Sequence, residues 1–147
     1  MLLLTFRAAG QRYGVDAARV AEVVPRVRLR GLPHAPAHLA GVFEYRGEVV
    51  TAVDLGVLLG STPAPDRLST RIVLVDRRPD PRAVDDPRVL LGLIAEGVDD
   101  LVSVDPAALA PPVVPIASAP YLGGIAEIGA EMVQLLLIDR LLDVPPS

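Results

Sequence analysis

Two histidines, His34 and His38, stand four residues apart, the spacing that sets two metal ligands on one face of a helix. Pro36 lies between them and interrupts any regular helix through both, and no third ligand accompanies them, so they read as surface histidines. Asp85-Asp86 and Asp99-Asp100 are adjacent carboxylate pairs, the material of general acid and base chemistry. Neighbouring residues on a strand point to opposite faces, so neither pair converges on one substrate unaided, and turn-forming Asp accounts for both. Ser61, Ser69, Ser103, Ser118 and Ser147 lie in no Gly-x-Ser-x-Gly context. Neither a Gly-x-Gly-x-x-Gly nor a Gly-Lys-Ser/Thr phosphate cradle occurs. Cysteine is absent, which removes disulfides, thiolate zinc sites and cysteine nucleophiles. The expectation is a chain with no catalytic residue, no cofactor and no metal. An enzyme working through Asp99 or Asp100 is the minority reading.

The residues left to carry chemistry are arginines. Residues 26–30 read Arg-Val-Arg-Leu-Arg and set three guanidinium groups on one face of a strand expected over 27–32. Such a stripe either binds an acidic partner or guards an edge strand against aggregation. The whole chain argues against nucleic acid: its net charge is −4, and its aromatic residues, 3% of the total, are too few to form a stacking platform. At 51% hydrophobic the 147 residues are rich in aliphatic side chains, yet no apolar run approaches the roughly 18 residues of a membrane helix. Arg7 interrupts the apolar opening, and no cationic stretch precedes it, so it does not read as a signal peptide. A cytoplasmic protein without direct membrane insertion is expected.

The elements that must position these groups are short. Fifteen Pro and twelve Gly are spread along the chain, which suits an all-β fold of many short strands. Strands are predicted over 2–7 and 12–15. Asp16 should then cap a two-turn helix through Ala17, Val20, Ala21 and Val24 that Pro25 ends. A Pro-marked turn at 33–36 and a helical turn at 37–40 lead to a hairpin, 41–45 and 48–53, about Arg46-Gly47. Asp54 can cap a brief helix that Gly60 closes. Residues 61–68 form the joint, 70–76 a strand, 77–88 an exposed loop, and 89–98 a strand buried on both faces. A strand over 101–104, an irregular stretch over 107–119, a hairpin of 121–127 with 132–137, and a terminal helix over 138–144 complete the chain. No repeat at a fixed period is evident, although each half holds a hairpin followed by a brief Asp-led helix, at Asp54 and Asp139.

The most specific segment runs from residue 32 to 55. Its Pro33-x-x-Pro36 turn, Gly41-Val42, Arg46-Gly47 and Val53-Asp54-Leu55 resemble the CheW-like family, the adaptor domains of bacterial chemosensory arrays. Upstream, Tyr13-Gly-Val-Asp16 with Val20, Glu22 and Val23 is similar to the family's early strand and helix. Downstream, residues 70–75, Gly92-Leu-Ile94 with Val98, Pro120-Tyr-Leu-Gly-Gly-Ile125 and the closing Leu-Ile-Asp-Arg-Leu-Leu142 follow in family order. Departures from the pattern are Glu44-Tyr45 for Asn-Leu, Thr51 for Pro, Ala95-Glu96 for Val-Asp, and Ala17 and Ala18 for large aliphatics.

The resemblance implies an all-β fold of two SH3-like five-stranded barrels, over about 14–68 and 69–147, with the N-terminal strand open to sharing between them. It implies a non-catalytic adaptor with two partners: the coiled-coil tip of a methyl-accepting chemoreceptor and the regulatory domain of a CheA-type histidine kinase. The adaptor would work in the cytoplasm at receptor arrays. Arg46 is the principal site residue, because a planar guanidinium held at a bend by Gly47 can make paired hydrogen bonds to a carboxylate or to carbonyls. A bridge from Arg46 to Glu44 or Glu48 that merely stiffens the turn is the competing reading. Glu44 and Tyr45 flank the site; Val15, Ala18 and Val98 are carried over as the receptor groove, with core packing as their alternative. An accessory adaptor of a pilus or second-messenger pathway, or a small-ligand-binding β-barrel, is the functional alternative.

Overall fold

In the computed structural model, which describes residues 1–60, 62–65, 67–78, 80, 82, 84–111 and 116–141, β1 (Leu2–Ala8) and β2 (Gln11–Asp16) pair antiparallel about Ala9-Gly10. The Asp16 carboxylate accepts from the Ala18 N–H at 3.0 Å, as a cap does. What it caps is a single 3-10 turn, Ala17–Arg19, and not the two-turn helix its spacing predicts. The chain leaves that turn as β3 (Val20–Pro25), whose burial alternates and which pairs antiparallel with β6 (Thr70–Asp76). Apolar positions 20 and 24 share a strand face as well as a helix face, whereas 17 and 21 fit the helical period alone. With a partner strand available, β-branched Val20, Val23 and Val24 favour the pleated surface.

The strand expected over 27–32 is replaced by an irregular segment in which Arg30 alone pairs, in an isolated bridge with Val42. β4 (Leu39–Tyr45) and β5 (Glu48–Asp54) form the expected hairpin. Asp54 caps α1 (Leu55–Leu58), its Oδ1 accepting from the N–H groups of Gly56 and Val57 at 2.9 and 3.3 Å. β6 pairs with β7 (Leu90–Glu96). The loop joining them is not wholly exposed, because Arg78 is buried and donates to both oxygens of Asp76. β8 (Leu101–Ser103), a 3-10 turn at Pro106–Ala108, β9 (Leu122–Ile128) and β10 (Glu131–Leu136) follow. Of the helix expected over 138–144, the described part is a 3-10 turn, Ile138–Arg140. Residues 142–144 lie outside the described residues, as do Ser61 and Asp66 of the expected joint.

The ten strands among the described residues fall into two sets of five. One runs β3-β6-β7-β5-β4 and the other β8-β1-β2-β10-β9, and β1 meets β7 at Arg7–Glu96. Both sets follow one plan: three antiparallel pairings and one parallel pairing, β5 with β7 and β10 with β2. Both also close in the same way. The chain leaving β3 returns to β4 at the Arg30–Val42 bridge, and the chain leaving β8 returns to β9 at Ala110–Ile125. Gly41 and Gly124 permit these approaches: a Cβ on Gly41 would stand 2.5 Å from the Arg30 carbonyl oxygen, and one on Gly124 3.0 Å from the Leu109 Cβ. Hairpin registers correspond as well, Tyr45 opposite Glu48 and Ile128 opposite Glu131. The chain is therefore a structural duplication in which each half lends its first hairpin, β1–β2 or β6–β7, to the other half's set. The second copy of the Asp54 position is Leu137, not Asp139, and the turn it precedes has no side-chain cap.

Packing follows this plan. Phe43, Val50, Ile72, Leu74 and Ile94 fill the first set, and Leu3, Val104 and Ala126 the second. Between them lies the largest cluster, with Phe6, Val15, Leu55, Leu93, Tyr121 and Leu141 contributed from both sets. Each large side chain so buried contributes about 1.5–3 kcal/mol, so the central cluster fixes the two sets against each other.

Candidate functional site

The β4–β5 hairpin presents Arg46 at its tip. Arg46 and Gly47 both have positive φ, 47° and 83°, the left-handed pair that a tight two-residue hairpin turn requires. Glycine adopts this without strain, whereas a residue with a side chain does so at a cost of about 1 kcal/mol or more. The corresponding turn between β9 and β10 places Gly129, φ 64°, at the first position. The β1–β2 turn has the same left-handed pair as Arg46-Gly47, with Ala9 at 50° and Gly10 at 75°, so a side chain at the first position occurs twice, and glycine replaces it in the duplicate of the Arg46 turn.

Around Arg46 the structure assembles a cluster from two separate strands. The Tyr45 hydroxyl donates to Oε2 of Glu22 on β3, and Nη2 of Arg46 lies 3.4 Å from the same oxygen. The Arg46 guanidinium carbon sits 5.3 Å from the centroid of the Tyr45 ring, within cation–π range. The hydrogen bond to Glu22 holds the Tyr45 hydroxyl above its usual titration range. Glu22 thus aims the guanidinium without covering it, since the Arg46 side chain remains 74% exposed. Neither Glu44 nor Glu48, the expected intramolecular partners, bonds Arg46 among the described residues; Glu44 faces Val49 across the hairpin and Glu48 faces Tyr45. The arrangement offers a donor fork and an aromatic face to a carboxylate or a row of carbonyls on another molecule.

The chain matches the family description of the CheW-like domain over residues 2–145. It belongs to the CheW-like domain family. It is 29% identical over 102 residues to a probable chemotaxis protein CheW of Rhizobium etli, covering 69% of this chain and 60% of that protein. It is 24% identical over 141 residues to the chemotaxis protein CheW of Klebsiella aerogenes, covering 95% of this chain and 80% of that one. The crystal structure of scaffolding protein TtCheW from Thermoanaerobacter tengcongensis superposes with a TM-score of 0.80 at 25% identity, covering 99% of this chain and 90% of that one. The alignment to the Rhizobium relatives spans about three fifths of their length. The CheW-like fold is two SH3-like β subdomains, as expected from the sequence.

In this CheW-like chain the remaining predicted residues fall in different places. Val15 has no accessible surface, and its side chain packs in the central cluster. Ala18 is exposed on the 3-10 turn after β2. Val98 is half-buried against the central cluster. No hydrogen bond or ion pair joins either to the Glu22–Tyr45–Arg46 group among the described residues. Glu22 matches a family position, but a helix over 17–24 would leave it on a solvated face. Its partnership with Tyr45 becomes legible only when that stretch is a strand.

The other candidates are accounted for locally. Thr5 Oγ1 donates to Asp99 at 3.3 Å, and Arg12 stands 3.8 Å from Asp100, which ties the segment after β7 to β1 and β2. His34 occupies a left-handed turn position, φ 64°; burial lowers the affinity of His38 for its proton. No group of three or more His, Asp or Glu side chains is placed to hold a metal among the described residues. No helix among them is long and apolar enough to cross a membrane.

Proposed function

We propose that this chain is a non-catalytic adaptor that couples the coiled-coil tip of a methyl-accepting chemoreceptor to the regulatory domain of a CheA-type histidine kinase in a cytoplasmic array. The observation that carries this reading is Arg46, an exposed guanidinium kept at a strained turn position and aimed by Glu22 and Tyr45. Strain kept where the duplicate hairpin has glycine supports a contact role. Two apolar side chains at corresponding hairpin positions, Val49 and Met132, are 76% and 70% exposed, and suit neighbours of the same barrel type on either end. The two subdomains are drawn here along the strand pairing, residues 20–96 as one and the flanking strands as the other, in place of a division at residue 68.

An accessory adaptor of a pilus or second-messenger pathway is a second reading. Tyr45 favours it: the family's usual residue there is Leu, which has no hydroxyl to hold Glu22. The test is a pull-down of the tagged chain from extract of its native cell, with Arg46→Glu alongside. Recovery of a multidomain histidine kinase and a long coiled-coil receptor, lost in Arg46→Glu, is expected. Recovery of neither partner, or of both undiminished with Arg46→Glu, rejects the reading, and the identity of the kinase distinguishes the two pathways.

A further inference from the structure

The side chains of Arg28 and Arg30 are not needed for the job that the segment of residues 26–30 does in the fold. Its counterpart in the second set closes that barrel with Pro106, Ala107, Ala108, Leu109 and Ala110. Leu29 and Arg30 pack against Gly41 there as Leu109 and Ala110 pack against Gly124. The leucine recurs, and every arginine has become proline or alanine. Nor do the arginines guard a strand edge, since the segment is not a strand.

The same segment forms one wall of a cleft of about 610 Å³, with α1, Pro63 and the start of β4 opposite. Arg26 and Arg28 line it together with the apolar Val27, Ala40, Val57 and Pro63. Arg26 donates to the Ala64 carbonyl at 3.3 Å. Arg28 and Arg30 are exposed and make no ion pair among the described residues. Among the described residues the one carboxylate in the cleft wall, Asp54, is 5% exposed and accepts backbone N–H groups of Gly56, Val57 and Ala64. An adjoining hollow of about 290 Å³ adds Arg67 and Arg71 beside Arg26. On a molecule with net charge −4 this is a local concentration of positive potential.

We propose that this cleft seats an acidic, amphipathic segment of a partner protein, with one carboxylate on Arg28 in the cleft wall, a second on Arg30 next along the chain beyond that wall, and aliphatic side chains against Val27, Val57 and Pro63. The apolar wall decides for a polypeptide over a nucleic acid, because a phosphate backbone gains nothing from valine and proline. The surface is separate from Arg46 and does not depend on the adaptor reading.

The test uses the full chain and fluorescence anisotropy with three labelled probes: the peptides Glu-Leu-Glu-Leu-Glu-Leu and Glu-Ser-Glu-Ser-Glu-Ser, and an oligothymidylate of equal charge. The leucine peptide is expected to bind saturably and tighter than both others. Arg28→Glu with Arg30→Glu should weaken it about tenfold or more, while Arg82→Glu with Arg140→Glu, an equal charge change on exposed residues elsewhere, leaves it within about twofold. If the double reversal loses its cooperative melt, Arg28→Gln with Arg30→Gln makes the same comparison. The proposal is overturned by non-saturable binding, by equal loss in the Arg82→Glu, Arg140→Glu control, by equal affinity for the serine peptide, or by tighter binding of the oligonucleotide.

Discussion

Glu22 and Tyr45 are joined by a hydrogen bond that spans the seam of the first five-strand set, since β3 and β4 are its two end strands. The bond does two things at once. It adds a side-chain link where the backbone closes only through the Arg30–Val42 bridge, and it positions the acceptor that steers Arg46. Tyr45→Phe separates these roles. It should move the melting midpoint by less than about 4 °C, because the seam keeps its backbone bridge. Receptor or kinase affinity should fall several-fold, as the Arg46 fork loses its aim. Unchanged affinity in equilibrium sedimentation would remove Tyr45 from the site.

Arg46→Gly gives the sharpest separation of fold from function. The left-handed φ of 47° is free to glycine, as it is to Gly129 in the duplicate turn, so the variant should be as stable as the parent or more stable by about 1 kcal/mol. Binding to receptor arrays should nevertheless be lost, since the guanidinium is gone. Urea unfolding paired with co-sedimentation measures both. A destabilised Arg46→Gly would show that the contact with Glu22 outweighs the backbone strain, and would favour a structural role for Arg46.

The sequence carried the fold where turn chemistry was unambiguous. Arg46-Gly47 between alternating apolar residues specified its hairpin, and Asp54 its cap. It misled at 17–24, where the apolar spacing is helical, because only the presence of β6 decides for a strand. Arg78 went unread for a related reason: a charged residue in a Pro-rich loop looks solvated until its partner, two residues back, proves to be buried. The duplication was invisible because its two copies share backbone register and few side chains. At the site, Arg46 and Gly47 were legible from the motif, but the Glu22 contact was not, since it depends on two strands that meet only when the barrel closes.

Gly41 and Gly124 should differ in sensitivity despite their matching places. At Gly41 an added Cβ meets a backbone oxygen at 2.5 Å, and the carbonyl of Arg30 cannot retreat without breaking the bridge to Val42. At Gly124 the nearest atom is the Leu109 Cβ at 3.0 Å, with the Ala110 oxygen at 3.2 Å. Gly41→Ala is expected to cost about 2–3 kcal/mol and Gly124→Ala clearly less. Denaturant unfolding of the two variants checks the order, and equal losses would contradict the closure described here.

Asp76 makes stability depend on acid. Burial alone would raise its carboxyl, but the side-chain hydrogen bond from Arg78 and the backbone N–H groups of Arg78 and Val89 outweigh burial and hold it below the ordinary 3.8. Protonation therefore costs the folded state more than the unfolded one. The contribution is complete above pH 3.8 and is lost as pH falls through the folded value. Asp76→Asn should flatten the acid limb of the stability profile. The same variant should be less stable at neutral pH, because the buried Arg78 charge loses the carboxylate it bonds through two nitrogens. An unaltered acid limb would place the dependence elsewhere.

Alongside Tyr45, whose hydroxyl is raised by its bond to Glu22, two tyrosines of the central cluster set the opposite limb. Burial pushes the hydroxyls of Tyr13 and Tyr121 above 10.0, and Tyr121 is raised further by its neighbour Tyr13. Each must ionise in the unfolded chain before it does so in the folded one, so the unfolded state binds fewer protons above pH 10.0. Stability is then complete below that value and falls as pH rises through the folded values. The two side chains are not equivalent, since the Tyr121 hydroxyl donates to the Leu58 carbonyl at 3.0 Å. Tyr121→Phe should therefore cost about 1 kcal/mol at neutral pH while lessening the alkaline loss. Tyr13→Phe should lessen the alkaline loss as well. Urea unfolding at about pH 9 and about pH 11 gives the comparison. A parent protein equally stable at both would mean that neither hydroxyl is held from solvent, and that the central cluster opens between the two barrels.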